Sequence, residues 1–149
     1  MIVLLQRVSE ASVTVGGRRI AEIGRGLLAL VAVEPADGDE DVERMAERML
    51  AYRIFADEGG RMNLNLGAVG GELLLVPQFT LAADTTRGNR PSFSAAASPA
   101  QGRQRFDELV ASVRRRGQAA ATGEFGADMQ VALVNDGPVT FLLRVPAGA

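Results

Sequence analysis

The chain has no cysteine, histidine, tryptophan or lysine among its 149 residues, and all 16 of its cationic side chains are arginine. Each gap removes a class of chemistry. Without cysteine there is no disulfide framework and no thiol nucleophile; without cysteine and histidine no zinc finger or imidazole-bound metal site can be built. Without histidine there is no Ser-His-Asp relay, and without lysine no Schiff base. An enzyme written in this alphabet works with hydroxyls, carboxylates, arginine, backbone groups or atoms of its own substrate, and neither a metal nor a cofactor is expected. Long apolar runs are also lacking. The longest, Leu27 to Val33, is seven residues against the ~20 that span a bilayer. Met1 to Arg7 shows neither the charged segment nor the cleavage site of a secretion signal, so a soluble, cytoplasmic protein without a membrane partner is expected.

What is present reads as one domain over residues 1–149, with 47% apolar and 23% charged residues, an ordinary globular mix. The net charge of −2 argues against indiscriminate polyanion binding, and no DNA partner is expected. That charge is unevenly spread. Glu34 to Arg48 holds seven acids and two arginines, whereas Thr85 to Arg116 holds seven arginines and two acids. A local basic region of this kind can neutralise a few phosphates on an acidic protein. Arg114-Arg115-Arg116 has a simpler reading, complementing a helix C-terminus.

The first third predicts strands: Ile2 to Val8, Ala11 to Val15, a hairpin signal at Gly16-Gly17, Arg18 to Ile23, and Gly26 to Val33, apolar on both faces. Val42, Met45, Ala46, Met49 and Leu50 then follow helical spacing behind an acidic first turn. Leu64 and Leu66 alternate with asparagines, and Glu72 to Val76 is a strand with four consecutive aliphatics. Asp84 to Ser98 has no period and reads as a long loop. Ser98-Pro99 starts a second helix, with Phe106, Leu109, Val110 and Val113 as its buried stripe and Gly117 as its stop. Met129 to Val134 and Val139 to Val145 predict two strands around Gly137-Pro138, which must be a turn because proline is excluded from central ladders. The sum is an α/β domain with a mixed, largely antiparallel sheet and two main helices.

Three segments offer chemistry. Pro77-Gln78-Phe79-Thr80 follows an apolar strand, where Thr80 supplies a hydroxyl and the amides after Pro77 can line an oxyanion hole; the same residues also suit a plain proline-initiated turn. The loop from Thr85 to Phe93 combines Arg87, Arg90, hydroxyls and an aromatic ring, a set suited to a phosphate-and-base ligand or to a solvated surface loop. Asn135-Asp136-Gly137-Pro138-Val139-Thr140 closes the last strand pair.

Taken together and in order, these segments resemble the D-aminoacyl-tRNA deacylase family, first described as D-tyrosyl-tRNA deacylases. The likeness extends through Gln6-Arg7-Val8, Ala11 to Val15, Tyr52-Arg53-Ile54-Phe55, Met62 to Asn65, Gln78 to Thr85, Arg90 to Ser94 and Ala127 to Val131, and ends with Asn135 to Thr140. It implies a homodimeric hydrolase of the ester joining a D-amino acid, or glycine, to the 3′-terminal adenosine of tRNA, on a curved sheet. It assigns catalysis to Gln78, Phe79 and Thr80. It further implies that Gly137-Pro138 is a cis peptide reaching into the partner's pocket, where the two carbonyls collide with an L side chain and leave room for a D one. By the same likeness Phe125 and Met129 line the adenosine and amino-acid pocket, and Arg87 and Arg90 are candidates for contacts near the acceptor end. Pro77 stands where the family commonly has serine, which removes a hydroxyl and an N–H donor from the pocket. A non-catalytic tRNA-binding module and a deacylase of relaxed chirality acting on L-alanyl-tRNA are the competing readings. With no histidine or lysine to activate Thr80, water attack aided by the ribose 2′-OH is expected in preference to a covalent route.

Overall fold

The structure, a computed structural model, describes residues 1–148. In chain order the elements are β1 (Ile2–Val15), β2 (Arg18–Ile23), β3 (Gly26–Ala32), α1 (Asp39–Ala51), β4 (Phe55–Ala56), β5 (Met62–Leu64), β6 (Glu72–Pro77), a 3₁₀ turn (Phe79–Ala82), α2 (Pro99–Arg115), β7 (Ala120–Thr122) and β8 (Gln130–Arg144). The main sheet runs β2-β1-β3-β6-β7, with β8 also paired to β1, and β4-β5 form a separate two-stranded piece. Pairings of β1 with β2, β3 and β8 are antiparallel, while β3-β6 and β6-β7 are parallel. The expected mixed, largely antiparallel α/β sheet with two helices is therefore present.

Two apolar clusters cover the two faces of this sheet. Val3 and Leu5 of β1, Leu27, Ala29 and Val31 of β3, and Leu73 and Leu75 of β6 pack with Met45 and Met49 of α1 and Phe106, Leu109 and Val113 of α2. Alternate residues Leu28, Leu74 and Val76 face a second cluster with Val8, Ala11, Val13 and Ile23. That is why β6 reads as unbroken aliphatics: both sides of this central parallel strand are buried.

The separate strands expected at Ile2–Val8 and Ala11–Val15 are one continuous strand. Its side-chain alternation slips where Ser9 and Glu10 lie exposed and the pairing with β8 is irregular, between Val8 and Glu10. Such a bulge moves the following residues to the other face, so Val8, Ala11 and Val13 share one cluster despite their mixed parity. β2 and β3 share one edge of β1, pairing with Ala11–Val15 and Ile2–Val8 respectively, and β8 occupies the other edge along almost its whole length.

The last third also departs from expectation. Met129–Val134 and Val139–Val145 are not two strands closed by a turn at Gly137-Pro138; they are arms of the single strand β8, each paired with β1. A strand tolerates proline where it bulges out of its ladder, and here five steps on β8 (Asn135 to Thr140) oppose two on β1 (Gln6 to Val8). The sequence offers no pattern for β7, whose Ala-Ala-Thr becomes a strand by pairing with Leu73–Leu75 of β6. Both helices begin as expected. Ser98 caps α2, its hydroxyl accepting from Gln101 N at 3.3 Å, with Pro99 in the first turn. Beside α1, the buried Met1 ammonium donates to Asp37 Oδ1 at 2.6 Å, Glu34 Oε2 at 2.8 Å and Val145 O at 2.8 Å, tying β1, the approach to α1 and the end of β8 together.

Candidate active site

The carboxyl ends of the parallel strands β3 and β6 open into a cavity of about 530 Å³, the end of an α/β sheet at which ligands generally bind. Val31, Val33, Val76 and Pro77 come from or just beyond the strand ends, Gly102 and Phe106 from α2, and Phe125 and Met129 from the chain after β7. No lining residue is ionisable. Phe79 and Phe93, 57% and 43% exposed, stand at its mouth with rings 5.2 Å apart and tilted by 58°. The space is apolar and aromatic-rimmed, suited to a planar base or an uncharged side chain.

Pro77 ends β6 without disturbing the sheet. Gln78 N continues the ladder to Val31 O at 2.7 Å, so the position without an N–H points to the opposite side, where β7 has already stopped opposite Leu75. The chain then tightens into the 3₁₀ turn, with Leu81 N donating to Gln78 O and Ala83 N to Thr80 O, both at 3.1 Å. The N–H groups of Phe79 and Thr80, at the start of the turn, have no acceptor within it. Thr80 Oγ1 accepts a hydrogen bond from the Gln78 side-chain amide. That amide contains no basic atom able to take the hydroxyl proton.

The opposite wall depends on a glycine. Gly123 N donates to Leu75 O at 2.8 Å, which brings its Cα against β6. A Cβ there would lie 2.9 Å from Met129 Sδ and 3.3 Å from Pro77 Cδ, so a side chain would displace two lining residues. Phe125 is held by Arg103, whose guanidinium lies 5.0 Å from the ring centre and donates to Phe125 O at 3.3 Å.

The bulge of β8 is built separately. Asn135 replaces the missing ladder: its Oδ1 accepts from Val139 N at 2.8 Å, and its Nδ2 donates to Val139 O at 3.3 Å and Thr140 Oγ1 at 3.0 Å. Arg7 braces the other side, donating from Nε to Asp136 O at 3.1 Å and from Nη1 to Ile54 O at 2.9 Å. Between these clamps Gly137 and Pro138 are exposed, joined by a cis peptide. Gly137 has φ +141°, which side-chain-bearing residues avoid.

Of the residues expected from sequence, Pro77, Gln78, Phe79, Phe125 and Met129 converge on the cavity. Thr80 lies beside it, exposed, without lining it. Gly137 and Pro138 do not line this chain's cavity. Three inter-strand steps separate β8 from β6, about 14 Å. The bulge is also level with Glu72–Leu74 of β6 through its β1 and β3 partners, about 13 Å short of Gln78 along the strand. Arg87 and Arg90 also lie outside the lining, on a loop pinched by paired backbone bonds between Asp84 and Ser92 at 2.8 and 3.0 Å. The Thr86 hydroxyl and amide hold the Asp84 carboxyl below the usual carboxylate range. Gly102 and Phe106 are legible from sequence only as helix residues. Their helical spacing signals burial, and nothing in it marks a cavity wall.

Known proteins resemble this chain in sequence and in fold. A family model described as D-Tyr-tRNA(Tyr) deacylase matches residues 4–144. The D-aminoacyl-tRNA deacylase of Methylococcus capsulatus is 63% identical over 146 residues, 98% of this chain and 95% of the relative. That of Alteromonas mediterranea is 57% identical over 145 residues, 97% of this chain and all of the relative. Among solved structures, one titled c-Myc DNA Unwinding Element Binding Protein superposes with TM-score 0.93 at 38% identity, covering 99% of this chain and 100% of that one. A probable eukaryotic D-amino acid tRNA deacylase has the same fold, with TM-score 0.81 at 18% identity over 95% of this chain and 97% of that one.

Proposed function

The chain belongs to the D-Tyr-tRNA(Tyr) deacylase family, and from that membership we propose that it hydrolyses the ester between a D-amino acid, or glycine, and the 3′-terminal adenosine of tRNA, in a cavity completed by a second copy of itself. The observation that carries the reading is the cavity at the end of β3 and β6, apolar, aromatic at its mouth and free of ionisable groups. A nucleoside with an esterified amino acid fits that chemistry, and an aminoacyl ester is labile enough to need orientation more than acid–base power. Water attacks the carbonyl carbon, the Phe79 and Thr80 amides receive the developing oxyanion, and the ribose oxygen leaves with a proton. Loss of one such donor is worth roughly 2.7–4 kcal/mol in other enzymes. The ribose 2′-OH orients the water, because no basic side chain lines the cavity. Thr80 then serves the turn, not covalent bonding.

Chirality is read sterically. Gly137 and Pro138 are exposed, braced from both sides and remote from their own cavity, an arrangement suited to insertion into a neighbour's. Their carbonyls there crowd the side of the α-carbon on which an L side chain projects; a D side chain points away and glycine has nothing to collide. A two-fold dimer uses one patch twice. The unpaired edge of β8 among the described residues, with Leu133, Val134 and Leu142 at 36%, 50% and 54% exposure, favours such a partner. The enzyme acts in the cytoplasm, where its substrate is made.

Release of amino acid from D-tyrosyl-, L-tyrosyl-, glycyl- and L-alanyl-tRNA tests the reading. Turnover of the D and glycyl esters alone is expected. Turnover of L-alanyl-tRNA would select relaxed chirality, which the missing N–H of Pro77 at the cavity wall favours as the second reading. Binding of tRNA without any turnover would leave a non-catalytic module.

A further inference from the structure

Seven arginines lie between Thr85 and Arg116, and the structure divides them. Arg105 pairs with Asp39 and Glu108, and Arg115 and Arg116 both pair with Glu43 on α1. Arg87, Arg90, Arg103 and Arg114 form no salt bridge among the described residues. Two of these four, Arg103 and Arg114, line an open groove of about 810 Å³ between α2 and the chain around β7. The groove shares Phe106 and Phe125 with the apolar cavity, so the two spaces meet at one aromatic wall.

The groove suits a chain of alternating charge and hydroxyl. Arg103 and Arg114 are eleven residues apart on α2, three helical turns, which puts them on one face about 16 Å apart. Arg103 donates to Phe125 O at 3.3 Å and Arg114 to Ala120 O at 2.8 Å, leaving most of the five N–H donors on each guanidinium free. Asp107 sits between them on the helix, and Glu124 faces it from the other lip. Bare phosphate would be repelled by those carboxylates. A ribonucleotide chain also presents 2′-OH groups and cytosine amino groups, which carboxylates accept from.

We propose that this groove carries the single-stranded ribose-phosphate chain leading away from the nucleoside in the cavity, with Arg103 and Arg114 on separate, non-adjacent phosphates and Asp107 and Glu124 on ribose or base donors between them. The proposal deepens the deacylase reading and rests on it: the nucleoside in the cavity must be the end of an RNA strand. It shifts the principal backbone contacts from Arg87 and Arg90, whose loop joins the cavity at its Phe93 side, to the face of α2.

The test compares two substrates that differ only in the strand: D-tyrosyl-tRNA and D-tyrosyl-adenosine. The protein carrying Arg114→Gln, whose guanidinium bonds to no residue of the cavity lining, is expected to lose about fivefold in kcat/KM on the tRNA ester while its rate on the adenosine ester stays within about twofold. Arg103→Gln also releases Phe125 and is expected to slow both esters, the tRNA ester more. The logarithmic salt dependence of the tRNA reaction should become shallower by about 0.7 for each phosphate no longer neutralised. Arg44→Gln, an exposed arginine on α1, controls for net charge and should change neither. Equal losses on both esters would assign the arginines to cavity structure, and no loss, or a tRNA-selective loss only in Arg87→Gln/Arg90→Gln, would exclude the groove. A wild-type protein inert towards both esters would remove the deacylase reading itself. Binding of uncharged tRNA would then decide the groove separately: weakened binding in Arg114→Gln supports it, unchanged binding overturns it.

Discussion

The cavity behind Pro77-Gln78-Phe79 and the bulge at Asn135–Thr140 are built on opposite principles. The cavity is concave and apolar, and its polar capacity is left open: two amides at the start of a 3₁₀ turn and a hydroxyl shared only with a neighbouring amide. The bulge is convex and polar, and its Asn135 side chain is internally satisfied by three hydrogen bonds that replace a ladder. An open set of donors waits for a substrate; a closed set holds a shape. In the proposed reading the first performs the chemistry and the second sets a clearance. Their separation on one chain means that altering one should leave the other intact.

The most damaging change is expected at Gly123. Gly123→Val drives a side chain into Met129 and Pro77 and should lower D-aminoacyl-tRNA turnover about 100-fold, as a displacement of order 1 Å does elsewhere, with circular dichroism unchanged. Asn135→Ala attacks the other region. Catalysis should survive, but the ratio of D- to L-tyrosyl-tRNA turnover should fall about tenfold, since a loosened bulge no longer holds the clearance. Mixing these two variants sharpens the contrast: a mixed dimer pairs one intact cavity with one intact bulge, so each mixed dimer should regain about half of the selective wild-type rate, and an equimolar, randomly reassorted mixture about a quarter. Failure to recover it would break the division of labour between chains. Thr80→Ala should cost less than about fivefold in kcat, because no base is available to make that hydroxyl a nucleophile; complete loss with an intact fold would restore the covalent route.

The smallest effect is expected far from both regions. The Ser112 hydroxyl, with Arg115 and Arg116, holds the Glu43 carboxyl below its ordinary 4.5. The stability it contributes is therefore present above that value and lost as pH falls through the lower folded value. Glu43 is 45% exposed, so this is under about 1 kcal/mol. Glu43→Gln should flatten acid unfolding below pH 4.5 without touching turnover or chirality.

Much of this architecture is legible in the sequence. Acidic first-turn residues, the Ser98-Pro99 cap and the apolar stripes announce both helices, because those signals act locally. The sequence misleads where tertiary pairing overrides local pattern. The exposed Ser9-Glu10 step breaks the alternation of β1 and splits one strand into two on paper. Gly137-Pro138 carries every mark of a turn, and only the ladder of β1 against both arms reveals a strand that continues past it. Ala120–Thr122 has no strand character beyond its place beside β6. At the site, Pro77, Gln78, Phe79, Phe125 and Met129 are legible as a group, while Gly123, Gly102 and the grooveward face of Arg103 are not. Their roles depend on what lies opposite them.

The distance between the bulge and its own cavity has a consequence for abundance. If each chain holds only half of a finished site, a dissociated chain has nothing to discriminate with, and the share of molecules that discriminate falls as the pool is diluted below its dissociation constant. Selectivity would then be a collective property, strongest where the protein is plentiful and fading with scarcity.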